Sequence, residues 1–302
     1  MTMESKRSSN SIASPWSSPK VIANHRRRKR IDVVLKVVVG ACIVAVLAPL
    51  GDMLLMFAYK GVQVLSVTSL FNGLGDPTPG LSTAVIGTGI LTLLGAAIAI
   101  PLGLFGGIYM AEFAKGSRYS GGLRFAADVL AGVPSIILGY SLYLILVSPF
   151  GLHWGYSALA GGIALAVIMF PYIFRTTEIA IRKVPEAIKE GAIALGSTKT
   201  TMINRLVLRF ALPGIITGIL LAIGIALSET APLLYTASFA SYVPTHLTGS
   251  PTPYLTGLIW FDYTSPVQAY VNLAYLATFL LILIVLSLNI VARVGLRRLS
   301  KV

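Results

Sequence analysis

Six apolar stretches, at 31–59, 82–111, 125–148, 157–174, 213–235 and 268–292, constrain this chain more than any other feature. Most approach the roughly 20 residues that a helix needs to cross a bilayer core of about 30 Å. A soluble core would also be apolar, but it would not need uninterrupted runs of this length. Hydrophobic residues make up 55% of the 302, and the mean hydropathy of +0.81 lies outside the range of ordinary soluble domains. The expected fold is an all-α membrane protein with six transmembrane helices.

The net charge of +13 suggests nucleic acid until its distribution is considered. With the gaps between runs numbered alternately inside and outside, and the N-terminus inside, the inner segments hold 22 of the 24 Lys and Arg residues. The outer gaps, 61–81, 149–156 and 237–267, hold none. Only Lys36 and Lys60, near the two ends of the first run, remain. This is the positive-inside bias. It predicts both termini in the cytoplasm of a multi-pass cell-membrane protein, and it explains the basic charge without a nucleic-acid partner.

Residues 1–31 are expected to be a disordered basic cytoplasmic tail, Ser- and Pro-rich at first and ending in His25-Arg26-Arg27-Arg28-Lys29-Arg30. The run that follows is too long for a signal peptide and lacks a small-x-small cleavage site. An uncleaved anchor touching anionic headgroups is the expected reading. Residues 32–302 form the predicted six-helix domain. Cys42 is the only cysteine, so no intrachain disulfide can form.

Two runs carry small residues at every fourth position: Gly95, Ala99, Gly103 and Gly107 in the second, and Gly214, Gly218, Ala222 and Ala226 in the fifth. Such stripes let helix backbones approach closely in lipid. Each serves either packing within the chain or a second membrane subunit. Prolines mark departures from straight helix. For Pro101 a kink is expected. Breaks at Gly132–Ser135, around Pro134, and at Glu229–Pro232 are the candidate pathway-lining segments, because freed backbone groups need a partner or a polar cavity.

Between the fourth and fifth runs lies a polar island, 175–212, with seven Lys/Arg and three Glu in a chain that is only 12% charged. Pro185 suits a helix start, Glu186 suits its positive end, and Gly196 suits its C-terminal cap. Ile188, Ala192 and Leu195 fall on one face, with Glu186 and Lys189 elsewhere. Such an amphipathic helix either docks on a partner or lies on the bilayer.

Glu190-Gly191-Ala192, then Gly196, then Leu206-x-Leu208 resemble the EAA loop of ABC importer permeases, with Gly191 for the middle alanine and the closing proline displaced to Pro213. Further strings agree. Ile100-Pro101-Leu102-Gly103, Tyr109-Met110-Ala111-Glu112, Asp128 to Ile136 (D-V-L-A-G-V-P-S-I), Phe170-Pro171, Arg175-Thr176-Thr177-Glu178 and Glu229 to Ala237 (E-T-A-P-L-L-Y-T-A) resemble the PstA-type permeases of the phosphate-specific ABC importer. The similarity runs from about Ser82 to the C-terminus.

The resemblance implies a type I ABC importer transmembrane domain, with a core of about 82–293 and a cytoplasmic coupling loop at 175–212. It implies a non-enzymatic subunit that forms half of a path for inorganic phosphate. The implied partners are a second homologous permease, two cytosolic ATPase subunits and an extracytoplasmic phosphate-binding protein. Glu190, Gly191, Ala192 and Gly196 would dock the ATPase. No cofactor or metal is expected, since ATP would be used by the partner.

Glu229 is the deepest clear charge, about 24 Å along the helix from Pro213 at 1.5 Å per residue. An intramembrane carboxylate is a functional candidate by default. In many relatives of this type an Arg stands four residues earlier; here that position is Ile225. A bare carboxylate would repel phosphate. Glu229 is therefore expected to pair with a cation of the partner permease or to be protonated, or else only to brace the Pro232 kink. Broken-helix amides and the hydroxyls of Ser135, Thr230 and Thr236 would then handle the anion.

Two other classes fit less well. No His-Glu-x-x-His motif or second deep carboxylate supports an intramembrane enzyme, and Gly191-x4-Gly196 lacks the Lys of a phosphate loop, because Ser197 follows. An ATP-independent channel or carrier would need its own charged relay. Within the preferred class, the alternative is a permease for another oxyanion or small solute.

Overall fold

The computed structural model describes residues 19–114 and 117–299, and every regular element among them is helical. In chain order the helices are α1 (Pro19–Val64), α2 (Val67–Phe71), α3 (Ser82–Ile108), α4 (Arg118–Gly132), α5 (Ser135–Leu142), α6 (Ala158–Arg182), α7 (Glu186–Ala194), α8 (Lys199–Met202), α9 (Leu208–Ser228), α10 (Ala231–Thr236), α11 (Leu255–Asp262) and α12 (Gln268–Leu299). Single π-helical turns extend α3 to Phe113 and α5 to Val147, and another joins α8 to α9. Five described helices are long and apolar enough to cross a membrane. The pair Ser120–Gly132 and Ser135–Val147, bent by 102°, makes the sixth span if taken as one. The expected count of six apolar spans holds in this form.

Residues up to Met56 and residues from Phe57 onward are two compact units. The first is a single exposed helix over its described apolar part, with Val33, Val37, Leu47 and Leu55 all facing outward. A helix apolar on every side suits a lipid surround. Of the expected tail, residues 1–18 lie outside the described residues, and from Pro19 the backbone is helical and continuous with the first span.

The second unit is organised on α6, which α3 and α9 flank. Both small-residue stripes turn towards it. A Cβ on Gly95 would lie 2.9 Å from Leu165 Cβ, one on Gly103 2.8 Å from Ile173 Cβ, and one on Gly107 2.6 Å from Thr177 Cβ. On α9, Gly214 faces Ala180 and Gly218 faces Thr176, while Ala222 and Ala226 are buried. The stripes therefore serve packing within this chain. Leu91, Leu165, Met169, Ile173, Ala222 and Leu233 fill the resulting core.

The breaks follow from local chemistry. Pro134 (φ −55°, ψ 130°) disfavours helical backbone at Val133 and starts α5 in a new direction. Glu229 is extended (φ −75°, ψ 133°), and Pro232 has no N–H to continue the ladder of α9, but it fits the first turn of α10. Pro101, in contrast, lies inside α3 without ending it.

The fourth and fifth spans depart most from the sequence reading. The fourth span continues past residue 174 to Arg182, and the fifth covers Lys199–Ser228 in place of 213–235. Hydropathy hid the first extension because the charges on the last turns of α6 neutralise one another. The break at Glu229 cut the second. The segment 237–267, expected to be a simple outer loop, contains α11. Its Leu255 and Leu258 are buried beside Leu74, Leu81 and Leu276.

Candidate substrate path and coupling surface

The two broken segments meet. Gly139 of α5 lies directly against Pro232 of α10, with no room there for a side chain. Between them opens a cavity of about 200 Å³ lined by Leu130, Val133, Ser135, Ile168, Tyr172 and Glu229, among others. Ser135 and Glu229 thus face the same space. The Glu229 backbone is held in place: its N–H reaches the Ala226 carbonyl, and its carbonyl accepts from Thr256 Oγ1 at 2.7 Å. On its other side, Thr88, Thr92, Tyr254 and Thr256 gather with Glu229 around a second, water-sized space of about 10 Å³.

Of the four path candidates, Ser135 and Glu229 are thus brought together at the cavity. Thr230 is half-buried at the N-terminus of α10 and is not among the cavity-lining residues. Thr236 is fully buried and donates its hydroxyl to the Pro232 carbonyl at 2.8 Å, so it braces α10. Ile225, in the position where an Arg was looked for, is half-buried.

The sequence reading missed a charge cluster one turn beyond the cavity. Arg175, three residues after Tyr172, donates to both carboxylate oxygens of Asp128 at 3.0 Å and to Glu178 at 3.1 Å. Glu178, whose side chain is 2% exposed, also receives Arg124 at 2.8 Å and Arg182 at 3.0 Å. Its signal was available: Glu178 stands at helical spacing from Arg175 and Arg182, and Asp128 interrupts an apolar run. Removing the acceptor shared by three guanidiniums is expected to cost about 3–5 kcal/mol, the range for breaking a buried ion pair. Glu178→Ala should therefore lower the Tm of the detergent-solubilised protein by many degrees, whereas Asp128→Asn, at an exposed partner, should change it little.

The predicted docking helix is present as α7, beginning after Pro185. Glu190 and Gly191 are exposed, and Ala192 is half-buried. Gly196 closes the helix with φ +82°, backbone that favours glycine. A Cβ on Gly191 would meet nothing within 4 Å.

The faces of α7 are not those expected. Leu195 is 90% exposed, because the helix ends at Ala194 and Leu195 falls off its periodicity. Lys189 points inward and is buried in an ion pair with Glu112. The outward face is therefore Glu190, Gly191, Ile193 and Leu195, a mixed surface with a bare backbone patch at its centre.

A bundle of apolar spans, two of them broken around one carboxylate, with a short helix presented beyond the membrane-spanning segments, defines a membrane transport subunit. Residues 103–301 match the family described as "Binding-protein-dependent transport system inner membrane component". The chain is 39% identical over 280 residues to "Phosphate transport system permease protein PstA 2" of Mycobacterium tuberculosis, covering 92% of each chain. It is 40% identical over 239 residues to "Phosphate transport system permease protein PstA" of Yersinia pestis, covering 78% of this chain and 79% of the relative. The membrane fold resembles that in the inward-facing structure of the MetNI methionine ABC transporter, with a TM-score of 0.53 and 17% identity over 73% of this chain and 94% of that one. The chain belongs to the binding-protein-dependent transport system inner membrane component family, as a permease subunit and not an enzyme.

Proposed function

We propose that this chain forms half of the membrane path of an ATP-driven phosphate importer, with the exposed Glu190–Gly191 surface of α7 receiving a cytosolic ATPase. The observation that carries this reading is the pairing of that bare docking helix with the helix breaks at Glu229, in a chain whose relatives are named phosphate permeases. A second, homologous permease completes the channel, and an extracytoplasmic binding protein delivers the anion. The positive-inside count puts α7 and both termini in the cytoplasm. ATP is used by the partner subunits, and this chain needs no cofactor or metal.

In this reading the anion passes the cavity at Ser135, handled by hydroxyls and by amides freed at the breaks, with cations supplied by the partner permease. The Glu229 carboxylate stands beside Ser135 at the cavity wall, where it orients the partner's cation. Removing the charge of Glu229 takes away one charge-assisted hydrogen bond, worth about 1.5 kcal/mol or more. Phosphate uptake by the assembled Glu229→Gln complex is therefore expected to fall about tenfold or further. Unchanged uptake with unchanged assembly would remove Glu229 from the path.

A further inference from the structure

The buried ion pair between Lys189 of the docking helix and Glu112 has no part in the function proposed so far. Glu112 lies in the π-helical turn Tyr109–Phe113 that ends α3, and each side chain of the pair is 4% exposed. Glu186, one turn earlier on α7, reaches the same ammonium at 3.6 Å. Two further cations of the island grip the same turn. Lys199 Nζ donates to the Glu112 carbonyl at 2.8 Å and stands 4.4 Å from the Phe113 ring centroid. An Arg182 guanidinium nitrogen donates to the Met110 carbonyl at 3.2 Å. Carbonyls at a helix C-terminus lack intrahelical partners and favour positive charge.

A buried charge deprived of its partner is far costlier than an exposed one, so α7 and the end of α3 are held as one body. From there α3 runs against α6 with no slack, since Gly95, Gly103 and Gly107 leave no room for a Cβ. At its far end Thr88 Oγ1 accepts from the Leu255 N–H at 2.9 Å, one residue from Thr256, which holds the Glu229 carbonyl. Packed side chains and hydrogen bonds of this kind carry coupling between sites.

We propose that Glu112 and Lys189 are positioning residues that make displacement of α7 move α3, and so link ATP hydrolysis to the break at Glu229. This rests on the importer reading above. The test uses the full complex in vesicles, with phosphate uptake, ATP hydrolysis and ATPase co-purification measured together for E112Q, K189M and the swapped pair E112K/K189E. In both single variants the ATPase is expected to remain bound and to hydrolyse ATP. Phosphate taken up per ATP should fall by about tenfold, within the usual range of coupling between sites, and the swap should restore much of it.

An unchanged ratio in the single variants would overturn the proposal. So would uptake and co-purification falling together, since the pair would then only hold the docking surface in place. Where a single variant does not accumulate in the membrane, the swapped pair decides. Recovery of both protein and ratio supports the strut, and recovery of protein alone overturns it. A wild-type complex without ATP-driven uptake would instead strike at the importer reading itself.

Discussion

Gly191→Trp is expected to abolish phosphate uptake while leaving the subunit folded and inserted. A Cβ at position 191 meets nothing within 4 Å in this chain, the site is exposed, and glycine is a poor helix residue, so the substitution favours α7 itself by a few tenths of a kcal/mol. The same bulk stands at the point of closest approach if a partner groove receives this helix. Overpacking a fitted contact costs about 1–3 kcal/mol or more, up to roughly a hundredfold in affinity. The interface term therefore outweighs the helix term. Co-purification of the ATPase and uptake should fall together, with the amount of permease in the membrane unchanged. Gly191→Ala, which restores the alanine of the EAA pattern, should be tolerated.

Gly107→Leu is expected to have the opposite signature, a loss of the subunit itself. The Cβ alone would stand 2.6 Å from Thr177 Cβ and 2.8 Å from the Phe174 carbonyl oxygen, and that carbonyl belongs to the backbone of α6 and cannot swing aside. Core overpacking costs about 1–3 kcal/mol and occasionally more, a large share of the 5–15 kcal/mol that holds a typical protein folded. Protein yield and the Tm in detergent should both drop sharply. Gly40→Ala is the matched control: nothing lies within 4 Å of that site on α1, and the change should be neutral or stabilising by about 0.5–1 kcal/mol.

These two glycines mark what the sequence could and could not say. Apolar run length and charge placement carried the span count, and four-residue periodicity picked out both stripes. Periodicity gives a helix face but no neighbour, so it could not decide that both stripes face α6. The proline breaks were legible because a missing N–H acts locally. Their meeting at Gly139 and Pro232 was not, because that contact spans almost a hundred residues.

The misreadings arise where a polar side chain, or a short helix, is judged from sequence pattern without its packing neighbours. Lys189 was expected only to lie off the face of Ile188, Ala192 and Leu195, and its burial was not read; Glu112 in α3 neutralises it and allows it to be buried. Glu178 marked no span because Arg175 and Arg182 were counted as island charge and Arg124 belongs to an earlier segment. Thr236, named for its hydroxyl, donates that hydroxyl within its own helix, a contact the sequence did not show. Tyr254 and α11 were hidden in a stretch without a long apolar run, since a helix of eight residues is too short to leave one.

The central claim, that this chain is a coupled permease half and not a self-sufficient pore, is tested most directly by phosphate uptake into vesicles. Those vesicles would hold this subunit with its partner permease, ATPase subunits and binding protein. The account predicts accumulation against a gradient that stops when ATP is withheld or the ATPase subunits are left out. Phosphate entry that continues without ATP, or through this chain without the ATPase, would contradict it.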